Sequence, residues 1–300
     1  MMAKNVELYI ADAITELQRE NTIEWELIVV DDGSSDSTYE IVKSYAKNDS
    51  RIILKKNPYD GKVDGTSYAF SLSSGDIIKC IDSDDVLLRD WFIFTPNMQQ
   101  YDAHCHAAFI VDEGLNKITT YNPNPKLIAS SYEKVASELM SLPKWSWSFK
   151  RTIAEKVFPL PSCLPFEDVW MALLIKKHSS NILLLNEPLY LYRQHGFQTF
   201  GGITNFDREI VKFRSLRLLK LIDVLRNEIR VLSGSDLDSH SFDCVYAANA
   251  LLSKDSVDLW SLVKLDSSIS QKMKITLYMF LPRLTSYLLK LKWWFDAKKI

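Results

Sequence analysis

Cysteine is scarce in this chain of 300 residues, and the few cysteines do not cluster. No two of them form a CxxC pair, which argues against a zinc site or a thioredoxin-like redox motif. The four are Cys80, Cys105, Cys163 and Cys244. Free thiols in a reducing cytoplasm are therefore the expectation.

Phosphate loops, long apolar runs and an excess of charge are missing as well. No GxxxxGKS or GxxxxGKT stretch occurs, so phosphoryl transfer of the P-loop type is not indicated. No charge-free apolar run reaches the roughly 18 residues of a membrane span, and the opening "MMAKNVELYIADAITEL" has no apolar signal-peptide core. The net charge of −2 provides no general attraction to nucleic acid.

Over about the first 200 residues, segments with apolar residues at helical spacing alternate with short apolar runs typical of strands. Val6, Ile10, Ile14 and Leu17 recur at helical spacing and predict an amphipathic helix. The runs "WELIVV", "RIILKK" and "DIIKCI" predict strands, and the first has no polar face, as is typical of buried parallel strands. This alternation predicts an α/β fold with a doubly wound, mostly parallel sheet.

The composition changes after about residue 205, where glycine and proline nearly vanish and Leu/Lys-rich helical patterns follow. We therefore expect two domains, an α/β domain over residues 1–202 and an α-helical region over 203–300. Residues 272–300 carry seven Lys/Arg against one Asp, and Trp293, Trp294 and Phe295 lie among them. Either this segment is an interfacial helix in peripheral contact with a membrane, or it packs on the rest of the protein through its lysine stems.

Two acidic turns each follow a predicted strand. Asp31 and Asp32 come after "WELIVV", and Asp82, Asp84 and Asp85 come after "DIIKCI". Ligands of doubly wound sheets bind beyond the carboxyl ends of the strands, so the two turns are expected to share one crevice. Each turn alone is more typical of a solvated turn before a helix, whereas together they suit a divalent cation and a phosphate-bearing substrate.

Four stretches in order, "ELIVVDDGSSDST", "SSGDIIKCIDSDD", "FEDVWMALLI" and "LYLYRQH", resemble the landmarks of family 2 glycosyltransferases with the GT-A fold. The resemblance covers about residues 5–200. It implies a GT-A-like sheet and transfer of a sugar from a nucleotide-sugar donor. Any one landmark is weak, and it is the set of four that is specific.

The resemblance also implies a site for the donor. Asp32, the second acid of the first turn, would contact the nucleotide base. Asp31 and Ser34 of the same turn and Asp82 of the DxD motif would complete the nucleotide-sugar site, with Arg193 near the diphosphate.

The metal and the base are implied in the same way. Asp84, Asp85 and His195 would hold Mn²⁺ or Mg²⁺, with the nearer of the two carboxylates left open. Asp168 would be the general base, with Glu167 beside it. Both Asp168 and His195 keep a plainer alternative, as a first-turn acid that favours the helix dipole and as a histidine at a strand end.

The implied reaction is metal-dependent, inverting transfer, from a UDP-linked donor, to a hydroxyl of a growing cell-surface glycan or a lipid-linked acceptor. The expected location is the cytoplasm, on the inner face of the cell membrane if the basic C-terminal segment is interfacial.

One departure from the family pattern favours an alternative function. Family members begin with an apolar strand directly before the first helix, whereas this sequence opens at the helix, with Asn5 in the place of the family's asparagine. The first family strand is therefore expected to be missing, which would leave backbone groups of its neighbours unpaired. The alternative is a truncated, non-catalytic GT-A-like module that binds a nucleotide sugar or a partner enzyme.

Overall fold

The computed structural model describes residues 1–94, 100–196, 208–228, 232, 239–254, 272, 275–277 and 287. Its strands, in chain order β1 to β9, are Met2–Ala3, Leu27–Asp31, Ile52–Lys56, Ile77–Lys79, Val86–Leu87, Ala103–Val111, Lys117–Tyr121, Trp147–Lys150 and Ile182–Arg193. Its helices, α1 to α10, are Ile10–Gln18, Thr38–Asn48, Lys62–Ser71, Asp90–Phe94, Pro125–Ala129, Tyr132–Ser137, Arg151–Val157, Asp168–His178, Arg208–Asn227 and Asp243–Leu252.

A parallel three-stranded sheet, in the order β1-β2-β3, forms the first part of the fold. All five residues of β2 are buried, as its β-branched, non-alternating sequence predicts for a strand covered on both faces. Helix α1 buries Ile10, Ala13, Ile14 and Leu17, so the predicted amphipathic helix is confirmed.

A six-stranded sheet forms the second part, with β4-β8-β6-β9-β5 in order and β7 paired to β6. The predicted α/β class is confirmed, but this second sheet is mixed rather than mostly parallel. Among its described strands, β6 and β9 pair in parallel and the other pairs are antiparallel. The loop of residues 112–116 between β6 and β7 is too short for the crossover that a parallel pair needs.

The first strand is shortened rather than missing. Met2 pairs in parallel with Val30 of β2 and also bridges to Asp82, so β1 joins the two sheets. A two-residue strand has no periodicity to read, which is why the sequence pattern predicts nothing there.

The chain divides into two compact units. The first comprises residues 1–130 and 141–193, and the second comprises residues 131–140 and 194–300. In the second unit, α9 buries Leu221, Ile222 and Leu225, and its Arg226 is paired with Asp243 of α10 at 2.7 Å. The domain boundary expected at residue 202 lies outside the described residues and stays a prediction.

No helix among the described residues is long and apolar enough to cross a membrane. Most of residues 272–300, including the three aromatic residues at 293–295, lie outside the described part of the chain, so the interfacial helix also stays a prediction.

Trp145 and Trp147 are 2% and 0% exposed, which places both in the core.

Candidate functional site

The first acidic turn is organised by Asp31 at the end of β2. Its Oδ2 accepts hydrogen bonds from the N–H groups of Gly33 and Ser34, both at 3.2 Å. Gly33 has a φ of 73°, a conformation that glycine adopts without steric cost. The other oxygen of Asp31 is buried and has no hydrogen-bond partner among the residues that the structure describes.

Asp32 and Ser34 are tied to neighbouring segments. Asp32 accepts from Lys4 Nζ at 3.1 Å and from the Asn57 side-chain amide at 2.7 Å. Ser34 Oγ accepts from the N–H of Asn5 at 3.2 Å. Asn57 therefore fixes the carboxylate that the family resemblance assigns to the nucleotide base.

The two acidic turns lie at the same sheet edge, on either side of β1. Ala3 is opposite Asp31, and Met2 bridges to Asp82. Adjacent strands are about 4.8 Å apart, so the two strand ends are separated by about 10 Å. Both turns thus lie at one edge of the sheet, and the crevice that they are expected to share stays a prediction.

A buried lysine lies at the centre of the site. Lys144 is 5% exposed, and its Nζ is 2.8 Å from Asp82 Oδ1 and 3.0 Å from Glu167 Oε1. Burial alone would lower the pKa of Lys144, but Asp82 and Glu167 raise it well above its usual value. The ion pairs therefore keep Lys144 charged inside the protein.

The pKa values of the two carboxyl groups that pair with Lys144 are shifted in the opposite direction. Burial would raise the pKa of both carboxyl groups, but Lys144 and the more exposed Lys62 lower that of Glu167 to about 2 and that of Asp82 below its ordinary range. Lys62 Nζ is 3.3 Å from the same Asp82 oxygen. Asp82 is therefore an ionised carboxylate that already has two cationic partners.

Asp168, the first residue of α8, is positioned by the same segment. The backbone N–H of Lys144 donates to Asp168 Oδ1 at 2.8 Å. Burial, followed by the charge of Glu167, raises the pKa of Asp168 to about 6. A carboxylate with a pKa near the working pH is suited to accept a proton from a hydroxyl group.

Asp85 is buried beneath the second turn and is only partly satisfied. Its Oδ1 accepts from the Arg193 N–H at 2.8 Å, and its Oδ2 has no hydrogen-bond partner in the described structure. Burial and the charges of Asp84 and Asp82 raise the pKa of Asp85 well above its usual value. A cation would relieve this repulsion.

These carboxylates suit a divalent cation that is shared with a substrate. No three His, Cys, Asp or Glu residues converge on one point within the described ranges. Hard divalent cations such as Mg²⁺, however, are often bound by only one or two carboxylates, with substrate phosphates and water completing the coordination shell. The half-buried Asp84 and the incompletely paired Asp85 fit such a site.

Arg193 holds the second turn in place from below. It is 2% exposed, and its guanidinium donates to the carbonyl groups of Asp84 and Glu113 and to the Asp12 carboxylate, at 2.8–2.9 Å. Its predicted contact with the diphosphate stays a prediction, since these bonds already engage the guanidinium in a buried position. The Tyr190 hydroxyl supports the same turn by accepting from the Asp82 N–H at 3.0 Å.

Some residues lie outside this cluster or were missed by the sequence patterns. His195 is half-buried and belongs to the second unit, so its role as a ligand stays a prediction. Lys62, Lys144 and Asn57 were not predicted as site residues. A lysine within the apolar stretch "LPKWSWSF" was the one available signal for Lys144, because unpaired lysines are rarely buried.

Sequence comparisons identify the family and relatives of this chain. A model of the family described as Glycosyl transferase family 2 matches residues 1–137. The chain is 33% identical over 248 residues to the GalNAc(5)-diNAcBac-PP-undecaprenol beta-1,3-glucosyltransferase of Campylobacter jejuni, across 77% of this chain and 74% of that relative.

Solved structures share the fold. TarS 1–349 of S. aureus, in complex with UDP-GlcNAc, is similar with a TM-score of 0.54 and 14% identity, over 91% of this chain and 77% of that one. The mannosyltransferase PcManGT of Pyrobaculum calidifontis, in complex with GDP-Man and Mn²⁺, also has a TM-score of 0.54, with 16% identity over 99% and 84% of the two chains.

Proposed function

Because the chain belongs to glycosyl transferase family 2, we propose that it transfers a sugar from a nucleotide-sugar donor to a hydroxyl of a growing bacterial glycan, with inversion at the anomeric carbon. The observation that carries this proposal is the position of Asp168. Its carboxyl group, with a pKa near 6, is held by the same Lys144 that pairs with Asp82 of the DxD turn. Lys144 thereby connects the proposed base, Asp168, to the DxD turn that would bind the donor.

The donor is proposed to be UDP-linked and the acceptor lipid-linked. The name of the Campylobacter jejuni relative describes a glucosyltransferase acting on an undecaprenol-linked glycan, and the TarS complex contains UDP-GlcNAc. The nucleotide would lie along the edge formed by Asp31, Asp32 and Ser34. Asp32, which accepts hydrogen bonds from Lys4 and Asn57, would contact the base.

Asp84 and Asp85 would hold Mn²⁺ or Mg²⁺. When bound, the ion would neutralise the diphosphate and make it a better leaving group. Lys62, whose side chain is 52% exposed beside Asp82, adds a second positive charge at this edge.

In the proposed reaction, Asp168 takes the proton of the acceptor hydroxyl. The acceptor oxygen bonds to the anomeric carbon as the bond from that carbon to the diphosphate oxygen breaks, and the nucleoside diphosphate leaves with the electron pair. Attack opposite the leaving group inverts the anomeric centre. Glu167 assists indirectly, since its charge helps keep the pKa of Asp168 high.

Calorimetric titration with UDP tests the donor site. We expect UDP to bind in the presence of Mn²⁺ and to bind at least about tenfold more weakly after chelation, as expected when a cation bridges carboxylates and phosphates. GDP serves as the matched ligand for base selectivity. Equal affinity with and without Mn²⁺ would contradict the metal-dependent part of the proposal.

A second candidate function is nucleotide-sugar binding without turnover. It is favoured by one observation, the two-residue length of β1 beside the donor turn. Under this alternative, UDP binds with Mn²⁺ present but no donor releases its nucleoside diphosphate. The two functions are therefore separated by turnover and not by binding.

A further inference from the structure

Two lysines contact the same carboxylate oxygen at the acidic edge, but their surroundings differ. Lys144 Nζ is 2.8 Å from Asp82 Oδ1, and its side chain is 6% exposed. Lys62 Nζ is 3.3 Å from that oxygen, and its side chain is 52% exposed. Lys144 also pairs with Glu167 at 3.0 Å, whereas Lys62 is 4.0 Å from the same Glu167 oxygen. Lys62 therefore makes the longer and more exposed contacts.

The two contacts with Asp82 differ in how readily they break. Removing one partner of a buried ion pair is strongly destabilising, because the other charge stays buried without its partner. An exposed lysine gains little from a single ion pair, since water solvates its charge almost as well. Lys62 can therefore leave Asp82 while Lys144 keeps this carboxylate paired.

The backbone of Lys62 is attached to the turn that would bind the nucleotide base. Lys62 is the first residue of α3 and directly follows Gly61. The side-chain amide of Asn57 donates to the Gly61 carbonyl at 3.0 Å and to Asp32 Oδ1 at 2.7 Å. The backbone of Lys62 thus begins beside the first acidic turn, while its ammonium group lies at Asp82 in the second.

Lys62 therefore extends along the interval between the two turns. Under the proposed function, the base of the donor lies at Asp32 and the cation at Asp84 and Asp85, so the ribose and the diphosphate would lie between them. A diphosphate carries more negative charge than one carboxylate, and a lysine pairs with phosphate oxygens as a point charge on a flexible stem. A bound donor would thus be a better partner for Lys62 than Asp82 is.

We propose that Lys62 is a diphosphate-binding residue, whose ammonium group exchanges Asp82 for the diphosphate of the donor. Lys144 stays with Asp82 and Glu167. The charge of Lys62 then helps to neutralise the nucleoside diphosphate as it leaves with the electron pair of the broken bond. This inference rests on the proposed function, because it requires a nucleoside-diphosphate donor at this edge.

Calorimetric titration of the full chain with UDP and with uridine tests the contact. We expect Lys62→Met to bind UDP at least about tenfold more weakly than the wild-type chain does, a loss of about 1.4 kcal/mol. Uridine has the base and the ribose but no phosphate, so its affinity should change by less than about twofold. Lys62→Arg retains a cation and should recover most of the UDP affinity.

Repeating the UDP titration with a chelator in place of Mn²⁺ separates a direct contact from one that acts through the ion. The loss in Lys62→Met should be at least as large without the ion, because the lysine then faces the diphosphate alone. A loss that disappears with the chelator would contradict a direct contact. At saturating donor, release of UDP by this variant should also be at least about tenfold slower, and an unchanged kcat would contradict its role at the leaving group.

Lys43→Met is the matched control for the loss of one positive charge. Lys43 is likewise an exposed lysine paired with a single carboxylate, that of Glu40 at 3.0 Å, but it lies on α2 outside the two acidic turns. Its replacement should leave UDP affinity within about twofold of the wild-type value. Both methionine variants should keep Tm within about 3 °C of the wild type, as expected for exposed ion pairs.

Three further results would overturn the diphosphate contact. UDP binding by the wild-type chain that Lys62→Met leaves unchanged would overturn this inference alone and leave the proposed function standing. An equal loss of uridine affinity, or unfolding of the variant, would show that Lys62 supports the base site or the fold instead. A wild-type chain that does not bind UDP would overturn the proposed donor, and this inference with it.

Discussion

Lys144 Nζ lies 2.8 Å from Asp82 Oδ1, in a position where the lysine is 5% exposed. The same ammonium pairs with Glu167, and the backbone N–H of Lys144 holds Asp168. A residue between β7 and β8 therefore links the DxD turn to the first residues of α8. The predictions that follow depend on this link and on the acids that surround it.

Replacing Lys144 should be far more destabilising than replacing Lys62, although both contact the same Asp82 oxygen. Removing one partner of a buried ion pair typically costs about 3–5 kcal/mol. Removing an exposed partner costs at most about 1 kcal/mol. Chemical denaturation of Lys144→Met and Lys62→Met compares the free energies of unfolding, and equal losses would contradict the central place of Lys144.

Turnover should depend on the ionisation of Asp168. A base acts in its deprotonated form, so kcat should fall as the pH drops through about 6, the pKa that burial and Glu167 give this carboxyl group. Glu167→Gln removes a charge that raises this pKa and should move the acid limb of the pH profile to lower pH. An unmoved limb in that variant would show that the limb does not report Asp168.

Asp85→Asn should separate stability from metal binding. Asparagine keeps the oxygen that accepts from the Arg193 N–H but removes a buried charge next to Asp84 and Asp82. We expect the free energy of unfolding without metal to stay within about 1 kcal/mol or rise. Mn²⁺-dependent UDP affinity should fall by at least about tenfold, as even outer-shell changes can cost that much. Unchanged affinity would exclude Asp85 as a ligand.

Arg193→Met distinguishes a structural role from a role in donor binding. The guanidinium satisfies the carbonyls of Asp84 and Glu113, so its loss should cost about 2–4 kcal/mol in the free energy of unfolding. Asp12→Asn is the control, because Asp12 is 49% exposed and its loss should cost under about 1 kcal/mol. A stable Arg193→Met variant that no longer binds UDP would instead support the predicted diphosphate contact.

Much of the fold could be predicted from periodicity. Helix α1, strands β2 and β3 and helix α8 follow from apolar residues at periods that one element imposes by itself. The shared edge of the acidic turns follows from their positions after parallel strands. The mixed pairing of the second sheet could not be predicted in this way. Whether two strands pair in parallel depends on the segments that connect them and not on the spacing of apolar residues within a strand.

The candidate site was predicted only where its residues belong to contiguous motifs. Asp31, Asp82 and Asp168 come from such motifs, whereas Lys144 and Asn57 reach the acids from loops, and no local pattern records these contacts. The burial of Arg193 was missed for the same reason, since its acceptors Asp12 and Glu113 are distant in sequence. The two-residue β1 was too short to leave a pattern.

Release of nucleoside diphosphate from UDP-sugars with Mn²⁺ present is the most direct test of sugar transfer at this site. We predict release by the wild-type chain and a loss of at least about 100-fold in Asp168→Asn, the size expected for a general base, with UDP affinity retained. Equal rates in the two proteins would contradict the role of Asp168. No release by a wild-type chain that binds UDP would contradict the catalytic account as a whole.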